Sequence, residues 1–318
     1  METTWDCIVV GAGAAGLSAA LVLGRARRRT LVVDAGRQSN LAAHGIGGLL
    51  GQDTRPPADL YADGRQELAA YPTVELRPGE VVAGESAGAT FVLELSDGSR
   101  ERTRRVLLAT GMEYRFPELP GIAERWGGSV FHCPFCHGWE VRDRALGVLD
   151  SGASGAHRAL LLRSWSDDVA LLADGPAGLE PDEEERLRAA GVAIDERPVA
   201  GLHGADGALD RVAFADGSER PLQGLLVPVT LHQRSALAGQ LGAAVSEPGP
   251  VVADAVAVDA KSATTVPGVF AAGDLTSTMP SVANAVATGH TAAAMVVQSL
   301  VAEGAGTGDQ LASPVREA

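Results

Sequence analysis

Two cysteines and a histidine are the residues of this chain best suited by type and spacing to chemistry. Cys133 and Cys136 are separated by two residues, and His137 follows the second cysteine directly. Two thiols at this spacing can form and break a disulfide, and an adjacent imidazole can move the proton that such exchange requires. Taken alone, the pair fits half of a zinc site equally well.

The rest of the sequence favours the redox interpretation. It contains no second Cys-x-x-Cys pair, and the third cysteine, Cys7, lies in an apolar run where it is expected to be a buried filler. A nucleotide-binding signature also opens the chain. We therefore predict a redox-active cysteine pair and no metal site.

The nucleotide signature lies between a predicted strand and a predicted helix. Asp6–Val10 has the apolar composition of a buried parallel strand, and Gly11, Gly13 and Gly16 follow it before a helix-like stretch. Glycines at this spacing permit a tight turn and let the backbone approach a pyrophosphate, which then lies on the helix N-terminus.

A second strand supports this interpretation. Thr30–Asp34 ends in a carboxylate at the distance expected for a residue that binds an adenosine ribose, although Asp34 could instead only begin a turn. Further along, Ala109, Thr110 and Gly111 form a small-residue turn after another predicted strand, which would let the backbone come close to a ligand.

The strand and glycine pattern is repeated in the second half of the chain. Leu146–Leu149 is followed by a glycine-containing turn and a predicted helix, but Asp150 stands at the position equivalent to Gly11. A carboxylate there would repel a pyrophosphate. The next strand ends in Ala173–Gly175, which offers no arginine for a 2′-phosphate, although Asp174 would suit the ribose of NAD. We predict that this second site no longer binds nucleotide.

Composition narrows the function further. Lys and Arg number 26 against 40 Asp and Glu, a net charge of −14, so partnership with nucleic acid or an anionic membrane is not expected. No signal peptide precedes the first strand, and three cysteines do not make a secreted disulfide scaffold. We expect a cytoplasmic protein.

In the order of these motifs, the chain resembles the thioredoxin reductase family of two-domain flavoproteins over nearly its whole length. The resemblance implies FAD as cofactor and a homodimer. It also implies an α/β fold of two Rossmann-like, three-layer domains, in which the FAD-binding domain is discontinuous (1–117 and 247–318). The inserted domain, 118–246, resembles an NAD(P)H-binding domain and carries the Cys-x-x-Cys pair. The implied cofactor-binding residues are Gly11, Gly13, Ala14, Ala15, Gly16, Asp34, Ala109, Thr110, Gly111, Gly273 and Asp274.

The departures from that family are equally informative. Thioredoxin reductases have a glycine at the place of Asp150, a His-Arg-Arg phosphate grip at Ala173–Gly175, and an aspartate at the place of His137. The motif 133–140 instead looks like that of the dithiol oxidases that close disulfides in sulfur-containing natural products, of the gliotoxin and holomycin type. The resemblance implies a small-molecule dithiol as substrate and O₂ as terminal acceptor, with Cys133, Cys136 and His137 as the catalytic residues.

Two other interpretations stay open at this point. One is a thioredoxin reductase-like disulfide reductase that uses NAD(P)H or another electron donor. The other is a flavin-bound redox sensor. His132 could be a second acid or base or a wall of the substrate pocket, and Glu140 could orient His137 or be a solvated charge.

Overall fold

The structure, a computed structural model, describes residues 4–307, with side chains up to residue 304. The helices within this range are α1 Ala14–Arg25, α2 Pro57–Leu68, α3 Pro134–His137, α4 Gly152–Leu162, α5 Pro181–Ala189, α6 Leu237–Gln240 and α7 Val282–Thr307. The first nine strands are β1 Thr4–Val10, β2 Thr30–Asp34, β3 Val74–Pro78, β4 Val81–Ala87, β5 Thr90–Leu95, β6 Arg100–Leu108, β7 Met112–Arg115, β8 Val130–Phe131 and β9 Leu146–Leu149. The later strands are β10 Val169–Leu172, β11 Ala193–Asp195, β12 Val199–His203, β13 Arg211–Phe214, β14 Glu219–Pro221, β15 Gly224–Leu226, β16 Thr230–Gln233 and β17 Val269–Ala271.

These elements form two compact units. One comprises the chain up to Ser39, Ala58–Glu113 and the chain from Leu231 onward, and the other comprises Asn40–Pro57 and Tyr114–Thr230. The predicted domain division at 117/118 and 246/247 stays a prediction. The structure differs from it most at residues 40–57, which belong to the second unit because they pack on the chain around Gly127 and Cys136.

The first unit is built on a seven-stranded sheet. β3, β2, β1 and β6 are parallel neighbours, β17 pairs in parallel with β6, and β5 and β4 continue from β6 as an antiparallel meander. The central strands are buried on both faces, as expected for the apolar runs of a parallel sheet. The alternating and apolar residues 74–82 predict one strand, but the structure has two, because the chain turns at Pro78 and Gly79, where Pro78 has no N–H to donate to a neighbouring strand.

Helix α7 packs on α1 in this unit. Its buried face is small and apolar (Ala292, Ala293, Val296 and Leu300). By length and composition alone, Val282–Gly304 could cross a membrane, but one such helix is weak evidence, because core helices share these properties. The sequence composition predicts a disordered end from residue 303, whereas α7 continues to Thr307, with Glu303 paired to Arg104 and Arg105. The remainder of that predicted end lies outside the described residues.

The second unit contains a five-stranded parallel sheet in the order β11-β10-β9-β15-β8 and a three-stranded antiparallel sheet, β12-β13-β14. The predicted strands Leu146–Leu149 and Val169–Leu172 are confirmed as β9 and β10, parallel neighbours connected through α4. The α/β class with parallel sheets is therefore confirmed, and β8 leads the chain from the edge of the sheet into the cysteine pair.

Candidate functional site

The cysteine pair lies at the start of α3, directly after β8. Cys133 is the N-cap of α3, and Pro134 occupies the first helical position, where its missing N–H costs no hydrogen bond. Because Cys136 lies in the same turn, the two Cα atoms are 5.4 Å apart and the sulfurs form a disulfide. Both cysteines are half-buried, so a small thiol can reach them.

His137 is the last residue of α3, and its ring stacks on Phe131 with centroids 5.7 Å apart. Both ring nitrogens are buried, and neither makes a hydrogen bond. Burial lowers the pKa of His137. The backbone of Cys133, the charge of Glu140 and the backbone of Gly127 oppose that shift without reaching hydrogen-bond geometry. The imidazole is therefore uncharged at neutral pH and able to accept a proton.

His132 lies in an aromatic cluster in the same unit. Its ring stacks on Trp126 at 5.7 Å and is tilted against Tyr114 at 5.0 Å, and Phe116 packs on Trp126 at 4.7 Å. Burial, followed by the charges of His137 and Arg158, lowers the pKa of His132 to about 4. An imidazole with so low a pKa is a weak base, and these contacts favour the pocket-wall role over the acid–base role.

The zinc alternative finds no support in this region. Cys133 and Cys136 are joined as a disulfide, and among the described residues no group of three or more His, Cys, Asp or Glu side chains is placed to hold a metal ion. Cys7 is fully buried, as predicted, and desolvation raises its pKa well above the usual value, so its thiol is inert.

The first glycine-rich turn is packed so closely that only glycine fits at two of its positions. A Cβ atom on Gly11, whose φ is +104°, would lie 2.3 Å from the Ala109 carbonyl oxygen, and one on Gly16 would lie 1.8 Å from the Gly11 carbonyl oxygen. Helix α1 begins here without a side-chain cap and without an acidic residue in its first turn. Its free N–H groups and positive dipole end suit the pyrophosphate of a dinucleotide such as FAD.

The three predicted cofactor segments meet at one edge of the sheet in the first unit. The Ala109 N–H donates to the Val10 carbonyl at 2.8 Å, and the Ala272 N–H donates to the Leu108 carbonyl at 2.9 Å. The turns after β1, β6 and β17 are thus neighbours, at the carboxyl ends where α/β sheets bind ligands. Gly273 also approaches α1, since a Cβ atom there would lie 2.9 Å from Cβ of Ala15.

Asp34 ends β2 beside the same turn. Its Oδ2 accepts hydrogen bonds from Arg65 at 2.7 and 3.2 Å, and its Oδ1 accepts from the Gly36 N–H and from Gln38 Nε2 at 2.9 and 3.1 Å. Gln38 Nε2 also donates to the Ala12 carbonyl at 3.2 Å. Gln38 therefore links the Asp34 carboxylate to the glycine-rich turn, and the role of Asp34 in binding a ribose stays a prediction.

The second glycine-rich turn is arranged differently, because Asp150 turns its carboxylate onto the start of α4. Oδ1 accepts the Ser151 N–H at 2.8 Å, while Oδ2 accepts from Ser154 Oγ at 2.9 Å and from Arg158 Nη1 at 2.8 Å. The side chain of Arg158 is only 23% exposed, so Asp150 also neutralises a partly buried cation.

The loop after β10 closes the same helix terminus from the other side. The Gly152 N–H, at the first position of α4, donates to the Ala177 carbonyl at 2.7 Å. Ala177 is fixed in turn, because its N–H donates to Glu196 Oε1 at 2.8 Å. Asp174 Oδ1 accepts the Val199 N–H at 2.6 Å and is thus also engaged. The chain itself therefore takes the Ser151 and Gly152 N–H groups at the start of α4, and the Asp150 carboxylate adds negative charge beside them.

Comparison with known proteins identifies the family. Residues 5–289 match the sequence profile described as pyridine nucleotide-disulphide oxidoreductase. The chain belongs to this family. It is therefore an oxidoreductase enzyme of a flavin-dependent family, and the predicted resemblance to thioredoxin reductase-like flavoproteins is confirmed.

Several members of the family match this oxidoreductase along most of their length. "Thioredoxin reductase tcpT" from Claviceps purpurea is 34% identical over 309 residues, which cover 94% of this chain and 95% of that protein. "Thioredoxin reductase sirT" from Leptosphaeria maculans is 31% identical and covered to 92%. The crystal structure of HlmI matches with a TM-score of 0.90 at 36% identity, covering 97% of both chains. An oxidoreductase from Agrobacterium tumefaciens matches with a TM-score of 0.88 at 35% identity, covering 94% of this chain and 99% of that one.

Sequence reasoning missed several residues of this pyridine nucleotide-disulphide oxidoreductase. Gln38 and Arg65 hold Asp34, and Arg158 and Ala177 help to close the start of α4. Only the contact of Arg158 with Asp150 could have been predicted from the sequence, because a spacing of eight residues is close to two helical turns. The type of Trp139 predicts packing rather than catalysis, and its side chain is 62% exposed beneath the guanidinium of Arg142.

Proposed function

We propose that the protein is an FAD-dependent dithiol oxidase, which forms a disulfide in a small-molecule dithiol and passes the electrons to O₂, giving H₂O₂. The redox disulfide with an uncharged base beside it supports thiol–disulfide exchange. The observation that carries the proposal is the start of α4, where Asp150 and Ala177 accept the Ser151 and Gly152 N–H groups and a carboxylate lies where it would repel a pyrophosphate. In this proposal the electrons enter from the thiol substrate.

The chemistry at the cysteine pair follows from these residues. His137 accepts a proton from a substrate thiol, and the thiolate attacks Sγ of Cys133, the outer sulfur by analogy. The disulfide breaks and Cys136 leaves as a thiolate. The second substrate thiol attacks the sulfur bound to Cys133, and its proton passes to the departing Cys133 sulfur. This releases a cyclic disulfide and leaves the cysteine pair reduced by two electrons, as one thiol and one thiolate.

The first unit fits FAD, because its glycine-rich turn, its uncapped α1 terminus and Asp34 lie beside one another. The residues that would hold FAD are Gly11, Gly13, Ala14, Ala15, Gly16, Asp34, Ala109, Thr110, Gly111, Gly273 and Asp274. Bound there, FAD would supply the acceptor for the two electrons of the cysteine pair and their transfer to O₂. We accordingly propose that 1–117 and 247–318 form a discontinuous FAD domain and that 118–246 is a Rossmann-like insertion that carries the cysteines.

The second candidate is a disulfide reductase fed by NAD(P)H or by another donor. The relatives named thioredoxin reductases favour it. A small dithiol, a cytoplasmic location and a homodimer remain proposals in both cases.

Oxygen uptake separates the two candidates. The purified holoenzyme, mixed with dithiothreitol in air, is expected to consume one O₂ and release one H₂O₂ for each dithiol oxidised, without NADH or NADPH. Anaerobic mixing with either nucleotide is expected to leave the flavin absorbance unchanged. Rapid bleaching by NADH or NADPH would refute the dithiol oxidase assignment and favour the reductase, whereas a Cys136→Ser variant that still turned over would refute the role of the cysteine pair.

A further inference from the structure

The buried base of the proposed oxidase needs a way to pass on its proton. When a dithiol reduces the Cys133–Cys136 disulfide, it loses two protons and two electrons; the sulfurs take both electrons. If the reduced pair is one thiol and one thiolate, one proton must leave each time the pair is reduced, and one is taken up again when O₂ becomes H₂O₂. His137 can hold the proton only briefly, because burial lowers its pKa. Neither of its ring nitrogens has a hydrogen-bond partner to which it could pass the proton.

Residues 42–47 lie along the redox motif in the same unit, and glycines permit the contact at two places. A Cβ atom on Gly127, whose φ is +80°, would lie 2.7 Å from the Ala42 carbonyl carbon. A Cβ atom on Gly47 would lie 2.7 Å from the Cys136 carbonyl oxygen. Backbone therefore meets backbone at both points, which holds this segment in a defined position beside the disulfide.

His44 lies between these two contacts and is exposed to solvent. Its Cε1 atom is 3.8 Å from the position that a Cβ atom on Gly128 would take. The backbone of Gly127, the residue before Gly128, affects the pKa of His137. The two imidazoles are close enough for the charge of His44 to lower the pKa of His137. His44 is thus an exposed imidazole beside a buried one.

We propose that His44 relays the proton from His137 to solvent, through water, during oxidation of the dithiol. This inference rests on the proposed function. Glu140 also acts electrostatically on His137, but a carboxylate is ordinarily too weak a base to carry a proton near neutral pH, whereas an imidazole both accepts and releases one there. The charges that act on His137 are those of Glu140 and His44. The charges of His137 and Arg158 act in turn on His132. His44 is a positioning residue, since it acts through His137.

The test is a single-turnover reduction of the holoenzyme by dithiothreitol without oxygen. The reaction is quenched with an alkylating reagent, and the cysteines freed in the 133–136 pair are counted by mass spectrometry. In dilute buffer, His44→Ala is expected to slow reduction at least tenfold with an unchanged dependence on dithiothreitol concentration, since proton transfer by a placed group contributes about 10²–10⁴-fold. Added imidazole is expected to restore the rate.

Two variants control the experiment. His203→Ala removes another exposed histidine, on β12, and is expected to react at the wild-type rate with no response to imidazole. Glu140→Gln is expected to show no rescue by imidazole. His44→Asn repeats the test in case His44→Ala does not fold.

The outcomes separate the inference from the function on which it rests. Wild-type rates in both His44 variants, or a slow rate that neither imidazole nor buffer concentration changes, would overturn the relay while the oxidase stands. If imidazole rescued Glu140→Gln but not His44→Ala, the proton would leave His137 through the Glu140 carboxylate. That result would overturn the relay through His44 too. A wild-type disulfide that dithiothreitol does not reduce would overturn the proposed function and the relay together.

Discussion

Protonation of His132 should destabilise the protein by an amount that follows from its burial. Its ring stacks between aromatic neighbours, and its pKa falls from an ordinary 6.5 to about 4. Between these two values the unfolded chain binds the proton and the folded chain does not. Stability is therefore lost as the pH falls from about 6.5 toward 4.

The size of the effect follows from the same shift. One pKa unit corresponds to about 1.4 kcal/mol, so a displacement from 6.5 to about 4 costs about 2 kcal/mol at pH 5 and about 3 kcal/mol at pH 4. His132→Phe removes the titrating group and keeps a flat ring against Trp126 and Tyr114. The carboxylates and His137 remain in both proteins. Their contributions to the pH dependence of unfolding therefore largely cancel when the variant is compared with the wild type.

The assay is urea unfolding of the holoenzyme and of the His132→Phe variant at several pH values from 7.5 to 4.5, followed by tryptophan fluorescence. Trp126 stacks on His132 and reports on this cluster. Between pH 7.5 and pH 5, the free energy of unfolding of the wild type should fall by about 2 kcal/mol more than that of the variant. Parallel pH profiles would show that His132 titrates alike in the folded and unfolded chain, and would refute the argument from burial.

Three further predictions address the site itself. Replacing Asp150 with Ala should lower the free energy of unfolding by about 1–3 kcal/mol, because Arg158 is left unpaired and the Ser151 N–H and Ser154 hydroxyl lose their acceptor. NADH should still not bleach the flavin, since the Ala177 carbonyl still accepts the Gly152 N–H, and bleaching would contradict that closure. Gly16→Val should abolish FAD retention on gel filtration, because even a Cβ atom would lie 1.8 Å from a carbonyl oxygen; a yellow variant would disprove this. His137→Gln should lower kcat about 10²–10⁴-fold and remove the acid-side loss of wild-type activity, which protonation of His137 causes at a pH lower than for an ordinary imidazole because burial lowers its pKa. An unchanged pH profile would exclude His137 as the base.

Much of the fold follows from local patterns. The strands at 30–34, 146–149 and 169–172 begin and end where predicted, because each is a short apolar run buried on both faces. The end of the chain was predicted less well, since composition alone does not show that Glu303 pairs with two arginines of β6 and extends α7.

The candidate site divides in the same way. The sequence alone determined which residues could do chemistry: a cysteine pair one helical turn apart, an adjacent imidazole, and a glycine spacing that suits a phosphate. It also showed an acid at position 150, because residue type and short spacing carry that information.

Only the tertiary structure decided how those groups act. Packed contacts decide which groups the Asp150 carboxylate and the Ala177 carbonyl bind at the start of α4. They also leave the buried ring nitrogens of His137 without hydrogen bonds and place His44 near that ring. Most of these contacts join residues far apart in the chain. Spacing along a sequence does not specify such contacts, because they form only when whole elements settle against one another and exclude water.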